Sequence, residues 1–177
     1  MMRFNVKIAL TVLLDIKSLT KDSPMANSYT SIKKVMLVRE GSLKGRPFLT
    51  STSKTCAFFK QYWEENSTAD QERFVVACLN AKLQVQAVVV ITTGTVDASL
   101  VSPREVFKPA IIEGSCGIVV SHNHPSGNVT PSKEDWTVFD VLSKAGKLLG
   151  ITIYDSIIYG DDSNDVLSMK EEEWRRP

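Results

Sequence analysis

At 177 residues the chain has room for one domain of ordinary size and too little for two. Apolar residues make up 43% of it and charged residues 23%, which excludes a disordered tail, a collagen-like fibre and a disulfide scaffold. Lys plus Arg number 21 against 20 Asp plus Glu, so the net charge of +1 gives no support to a partner recognised through its phosphates.

The three cysteines, Cys56, Cys78 and Cys116, are scattered and form no C-x-x-C pair, as expected in a reducing compartment. The apolar stretch Ile8–Leu14 is short, runs straight into Asp15 and precedes no small-x-small cleavage site. No run reaches the roughly 20 apolar residues that a membrane-spanning helix needs. A cytoplasmic protein with no membrane partner is the expectation.

Residues 1–30 carry no readable pattern and are expected to be a poorly structured, dispensable extension, followed by one domain over 31–172 and a tail over 173–177. Ile32–Arg39 has a short strand-like run, and Glu40–Pro47 reads as loop. Ser51–Thr55 offers helix caps, and Cys56, Phe59, Tyr62 and Trp63 recur at helical spacing up to Asn66. Phe74–Leu79 is continuously apolar, as in a strand covered on both faces, and the valine-rich Leu83–Ile91 predicts a second strand.

Ser102-Pro-Arg-Glu105 predicts a capped helix start, with Glu105 as the partner of the Ser102 cap and the helix running to Glu113. Gly117–Ser121 predicts a third buried strand and His122–Pro131 a loop. Ser132–Asp135 opens a helix with Trp136, Phe139, Leu142, Ala145 and Leu149 on one face, stopped by Gly150. Ile151–Tyr159 follows as a fourth strand. Strands alternating with helices in so short a chain predict a three-layer α/β domain.

The two histidines of the chain, His122 and His124, stand two apart, so in an extended segment both point the same way. They can be loop histidines without a task, or two ligands of a metal ion. Asp135 can complete a set of two imidazoles and one carboxylate, the three-ligand arrangement that leaves zinc a position for water. Ser132 and Asp135 are explained equally well as a capping box, Asp replacing the usual Glu. The two readings are compatible if each takes one carboxylate oxygen. The contiguous letters His-Asn-His do not make an HNH nuclease, whose residues are spread over a hairpin and a helix.

Ser121-His-Asn-His-Pro-Ser-Gly-Asn128, then Thr130-Pro-Ser132 and Asp135, resembles the JAMM motif His-x-His-x7-Ser-x2-Asp. It is similar in particular to the RadC-like branch of the JAB/MPN superfamily, with flanks Ser102–Phe107 and Leu148–Asp155 in agreement and about Ile32–Glu172 covered. The resemblance implies a cytidine-deaminase-like α/β/α fold and Zn2+ held by His122, His124 and Asp135. It implies a metallopeptidase in which Glu72, before the first strand, is the general base and Ser132 stabilises the oxyanion. Glu105 and Glu113 compete for the role of base. Asn123 is expected to face away from the ligands, while Pro125 and Gly127 shape the loop.

Two departures stand out. The helix-hairpin-helix region of longer RadC-type proteins has no counterpart here. Asp155-Ser156 also stands where the family has Asp-His. A zinc-dependent peptidase or isopeptidase acting on a peptide or protein is the first reading. The alternative is a non-catalytic or DNA-repair-associated binding module, whose nucleic-acid affinity the charge does not support. A metal-free descendant kept for protein contacts is the third.

Overall fold

The structure is a computed structural model that describes residues 45–68, 70–94 and 101–175. The extension over 1–30 and the strand-like Ile32–Arg39 lie outside the described residues. The elements run α1 (Thr52–Asn66), β1 (Arg73–Leu79), β2 (Val85–Thr93), α2 (Pro103–Ile112), β3 (Gly117–His124), α3 (Lys133–Leu149), β4 (Thr152–Gly160), β5 (Val166–Ser168) and a 3-10 turn at Glu173–Arg175. Among the described residues no helix is long and apolar enough to cross a membrane.

The five strands form one mixed sheet in the order β2-β1-β3-β4-β5. Among the described strands only the β3–β4 pair is parallel, and α3 provides its crossover. Alternation along β1 divides the core between the two faces of the sheet. Val75, Ala77 and Leu79 meet Phe59 and Trp63 of α1. Phe74, Val76 and Cys78 meet Val106, Phe107 and Ala110 of α2 and Val138 and Leu142 of α3. The result is three layers, α1 over the sheet over α2 and α3, as expected. Because both faces are covered, β1 reads as an unbroken apolar run from Phe74 to Leu79 rather than an alternating one.

The helix ends follow local chemistry. The Ser51 hydroxyl accepts from the Lys54 amide at 3.3 Å and starts α1. Gly150 ends α3 in the left-handed conformation (φ 68°), where a Cβ would cost roughly 1–2 kcal/mol, and its amide donates to Gly146.

Three expectations need correction. The capping interaction at Ser102 does not form: Ser102 is the N-cap of α2, but its side chain makes no cap hydrogen bond. Glu105 accepts instead from Arg104 Nε at 3.1 Å, and Pro103 at the first helical position has already removed one amide in need of a partner. The third strand does not stop at Ser121, because parallel pairing with β4 continues through Asn123–Tyr159 to His124–Gly160. Finally, β5 adds an antiparallel strand to β4 that the sequence pattern does not announce.

Candidate functional site

The site sits at the end of the sheet where β3 runs out toward α3. His122 is in register with Phe74 on β1 and stacks on its ring at 6.1 Å between centroids. It therefore belongs to the face covered by α2 and α3. His124, two residues on, points to the same side, and the two rings stand 4.8 Å apart. Asp135 in the first turn of α3 reaches across to them. Its Oδ1 lies 3.0 Å from His122 Nε2, and its Oδ2 lies 3.7 Å from His124 Nε2.

Ser132 and Asp135 form a full capping box. The Ser132 hydroxyl accepts from the Asp135 amide at 3.0 Å, while Asp135 Oδ2 accepts from the Ser132 amide at 2.7 Å and hydroxyl at 2.6 Å. Burial raises the Asp135 pKa, but its bond to His122, the charge of that ring and the two bonds from Ser132 outweigh burial. The carboxyl is held well below the ordinary range.

His124 Nδ1 lies 2.6 Å from the Asn128 carbonyl oxygen. A carbonyl only accepts, so Nδ1 donates to it, and Nε2 is the ring atom left facing the centre. That atom is 3.0 Å from His122 Nε2, a separation that a proton or a cation must bridge. Gly127 permits the turn that brings Asn128 there: its φ is 75°, and a Cβ would meet Asp162 Cβ at 3.0 Å.

The donor set fits a divalent transition metal. His122, His124 and Asp135 offer ligand atoms within 4.8 Å of one another. The His122 Nε2 to His124 Nε2 and His122 Nε2 to Asp135 Oδ1 separations, both 3.0 Å, lie close to about 3.3 Å, the edge of a tetrahedron with zinc–ligand bonds of about 2.0–2.1 Å. His122 Nδ1 is buried without a hydrogen-bond partner, so the ring is placed by packing on Phe74 and by the groups at Nε2.

A cleft of about 290 Å³ opens on these residues, lined by Glu72, His122, His124, Ser126, Asn128, Thr130, Ser132 and Asp135. Among the described residues no lysine or arginine lines it. Glu72 stands two residues before Phe74 and lines the cleft on the His122 side of the sheet, half-buried just ahead of β1. The structure thus gathers all five residues singled out in the sequence at one cleft. The competitors lie elsewhere: Glu105 pairs with Arg104 on exposed surface, and Glu113 is the C-cap of α2.

Asn123 faces away from the ligands, as expected, but is far from idle. It is fully buried and its side chain makes three hydrogen bonds. The part of Asn128 in orienting His124 had no sequence signal, because the group involved is a main-chain carbonyl that every residue carries. Ser126 and Thr130 were missed as well, because the turn at Gly127 that brings them to the cleft hides any common spacing. Asp155 and Ser156 are both buried. The Asp155 carboxylate accepts from Ser168 Oγ at 2.7 Å and from the Ser156 and Lys170 amides at 2.8 and 3.2 Å.

Residues 49–174 match a family model described as the RadC-like JAB domain. A UPF0758 protein of Rubrobacter xylanophilus is 41% identical over 127 residues, covering 72% of this chain and 53% of its own length. One from Methanosarcina barkeri is 43% identical over 102 residues, covering 58% and 44%. One from Staphylococcus epidermidis is 50% identical over 93 residues, covering 52% and 41%. The match therefore spans about half the length of these curated relatives, or somewhat less.

Proposed function

The chain belongs to the RadC-like JAB domain family, and from that premise and the geometry of the cleft we propose that it is a JAMM-type zinc-dependent hydrolase. Its substrate is a peptide or protein, cut by water at a peptide or isopeptide amide. The observation that carries this reading is the convergence of the His122, His124 and Asp135 donor atoms in a cleft that Glu72 also lines. Zinc held by those three residues supplies a Lewis acid that polarises a carbonyl and makes water acidic enough to deprotonate near neutral pH.

The protein groups do the rest. Glu72 takes a proton from water in the cleft and returns it to the leaving amine, acting first as base and then as acid. Ser132 donates its hydroxyl proton to Asp135 Oδ2 at rest. Turned toward the cleft, the same hydroxyl stabilises negative charge developing on the carbonyl oxygen. Asn128 holds the His124 ring in the tautomer that presents Nε2. The free thiols of Cys56, Cys78 and Cys116 support a cytoplasmic setting.

Elemental analysis beside activity tests the reading. The protein binds about one zinc per chain, His124→Ala loses it, and Glu72→Gln keeps it while no longer cleaving a peptide–aminocoumarin amide that the wild type cleaves. Failure of the wild type to retain zinc, after zinc is offered and excess removed, sinks the hydrolase. Turnover retained in Glu72→Gln sinks the role of that residue.

A further inference from the structure

We propose that Asn123 is the positioning residue of Glu72, so that the residue between the two histidine ligands also fixes the base; this rests on the hydrolase reading above. The main-chain register of β1 with β3 ends at the pair Phe74–His122. One residue further out, the Asn123 side chain takes over from the backbone. Its Oδ1 accepts from the Arg73 amide at 2.7 Å, and its Nδ2 donates to the Gln71 carbonyl at 3.0 Å. The two bonds grip the chain on either side of Glu72, whose own carbonyl accepts from the Gly94 amide at 2.9 Å.

The amide cannot turn over. Its second Nδ2 proton goes to Asp161 Oδ2 at 2.5 Å, and a flip would set an oxygen against both the Gln71 carbonyl and that carboxylate. The Asp161 amide in turn donates to the His124 carbonyl at 3.0 Å, closing a ring of bonds from ligand strand to β4 end to base. Asn123 has no exposed surface, so its own amide has no water to turn to in place of these partners. Beyond the last rung of the β1–β3 ladder, the main chain on both sides of Glu72 is therefore tied to the ligand strand through one side chain. An error of about 1 Å in the placement of a base can cost about 10²-fold in rate.

The test uses the zinc-loaded protein, a peptide–aminocoumarin amide that it cleaves, and amide hydrogen exchange. In Asn123→Ala the zinc content stays, exchange at the Arg73 amide rises about 10-fold while residues 75–79 stay protected, and kcat falls about 10²-fold at unchanged KM. Asp161→Ala, at a half-exposed position, serves where Asn123→Ala does not fold and shows the same pattern more weakly. Asp161→Asn, which still offers Asn123 an acceptor, restores both readouts. Unchanged Arg73 exchange and kcat in the folded Asn123→Ala protein overturn the proposal. Zinc lost together with activity in both Asn123→Ala and Asp161→Ala also overturns it, by assigning Asn123 to the ligands. A wild type that cleaves no such amide removes the hydrolase instead, and Arg73 exchange alone then decides the role of Asn123.

Discussion

Asp135 divides its carboxylate between two partners: Oδ2 accepts both the amide and the hydroxyl of Ser132, at 2.7 and 2.6 Å, which leaves Oδ1 for His122 at 3.0 Å. A helix cap and a metal-type ligand set are built from one side chain because its two oxygens point to opposite tasks. Capping thereby orients the ligand, as outer partners of metal sites commonly do.

Ser132→Ala removes the hydroxyl's bond to Oδ2 and its acceptance from the Asp135 amide, but keeps the main-chain bond from residue 132. We expect the protein to lose about 1 kcal/mol of stability, the worth of a cap, in urea unfolding. Zinc affinity, read by competition with a chelator, falls about 10- to 100-fold. An undiminished affinity would show that the amide alone is enough to orient Asp135.

Gly127→Ala acts on the other ligand. The left-handed φ of 75° costs a side chain about 1–2 kcal/mol, and the new Cβ also presses on Asp162 Cβ at 3.0 Å and the Ser163 amide at 3.1 Å. The loop relieves this by moving, and Asn128 moves with it, away from His124 Nδ1. Both the thermal midpoint and the zinc affinity fall. A variant that loses stability and binds zinc as before would show that packing, rather than Asn128, orients the His124 ring.

How much of this was legible follows from what kind of group does the work. His122, His124, Ser132 and Asp135 announce themselves because their side chains carry the chemistry and their spacing is fixed by a strand, a turn and a helix start. The layer order was also readable, since apolar runs such as Phe74–Leu79 require cover on both faces. The strand end was misplaced because His-Asn-His is polar and reads as loop. The segment stays in the sheet because β4 pairs with it as far as Gly160 and because the buried Asn123 side chain finds three partners. Those partners, Gln71, Arg73 and Asp161, are distant in sequence, and two of them take part through the main chain. The β5 strand is only three residues long, so its period is too short to see.

Behind the ligands, Trp63 of α1 donates its indole N–H to Ser121 Oγ at 2.8 Å, a buried bond between side chains 58 residues apart. It ties α1 to β3 at the residue before His122. Ser121→Ala leaves the indole donor buried without a partner, at a cost of about 1–3 kcal/mol. Urea unfolding measures the loss, and zinc binding stays because the face of the sheet that carries His122 and His124 is untouched. A stability equal to the wild type would mean that water reaches the indole.

Asp155 makes stability depend on pH in the direction opposite to a salt-bridged carboxylate. Burial raises its pKa, and the bonds from Ser168 Oγ, the Lys170 and Ser156 amides and the charge of Lys170 offset only part of that. The same burial, with the charges of Asp155 and Glu171, pushes the Cys56 thiol up to about 11. A carboxyl with a raised folded pKa binds more protons when folded than when unfolded, so stability falls as pH rises from its unfolded value of about 4 through the folded one. Asp155→Asn removes the charge while its oxygen still accepts from the amides and its Nδ2 still meets Ser168 Oγ. In metal-free protein, thermal midpoints across that pH range should show the wild type losing ground to Asp155→Asn as pH increases. A gap that stays flat, or that moves in favour of the wild type, would mean that the three hydrogen bonds outweigh desolvation and that the carboxylate anchors the chain at Ser168–Lys170 to β4 in its charged form.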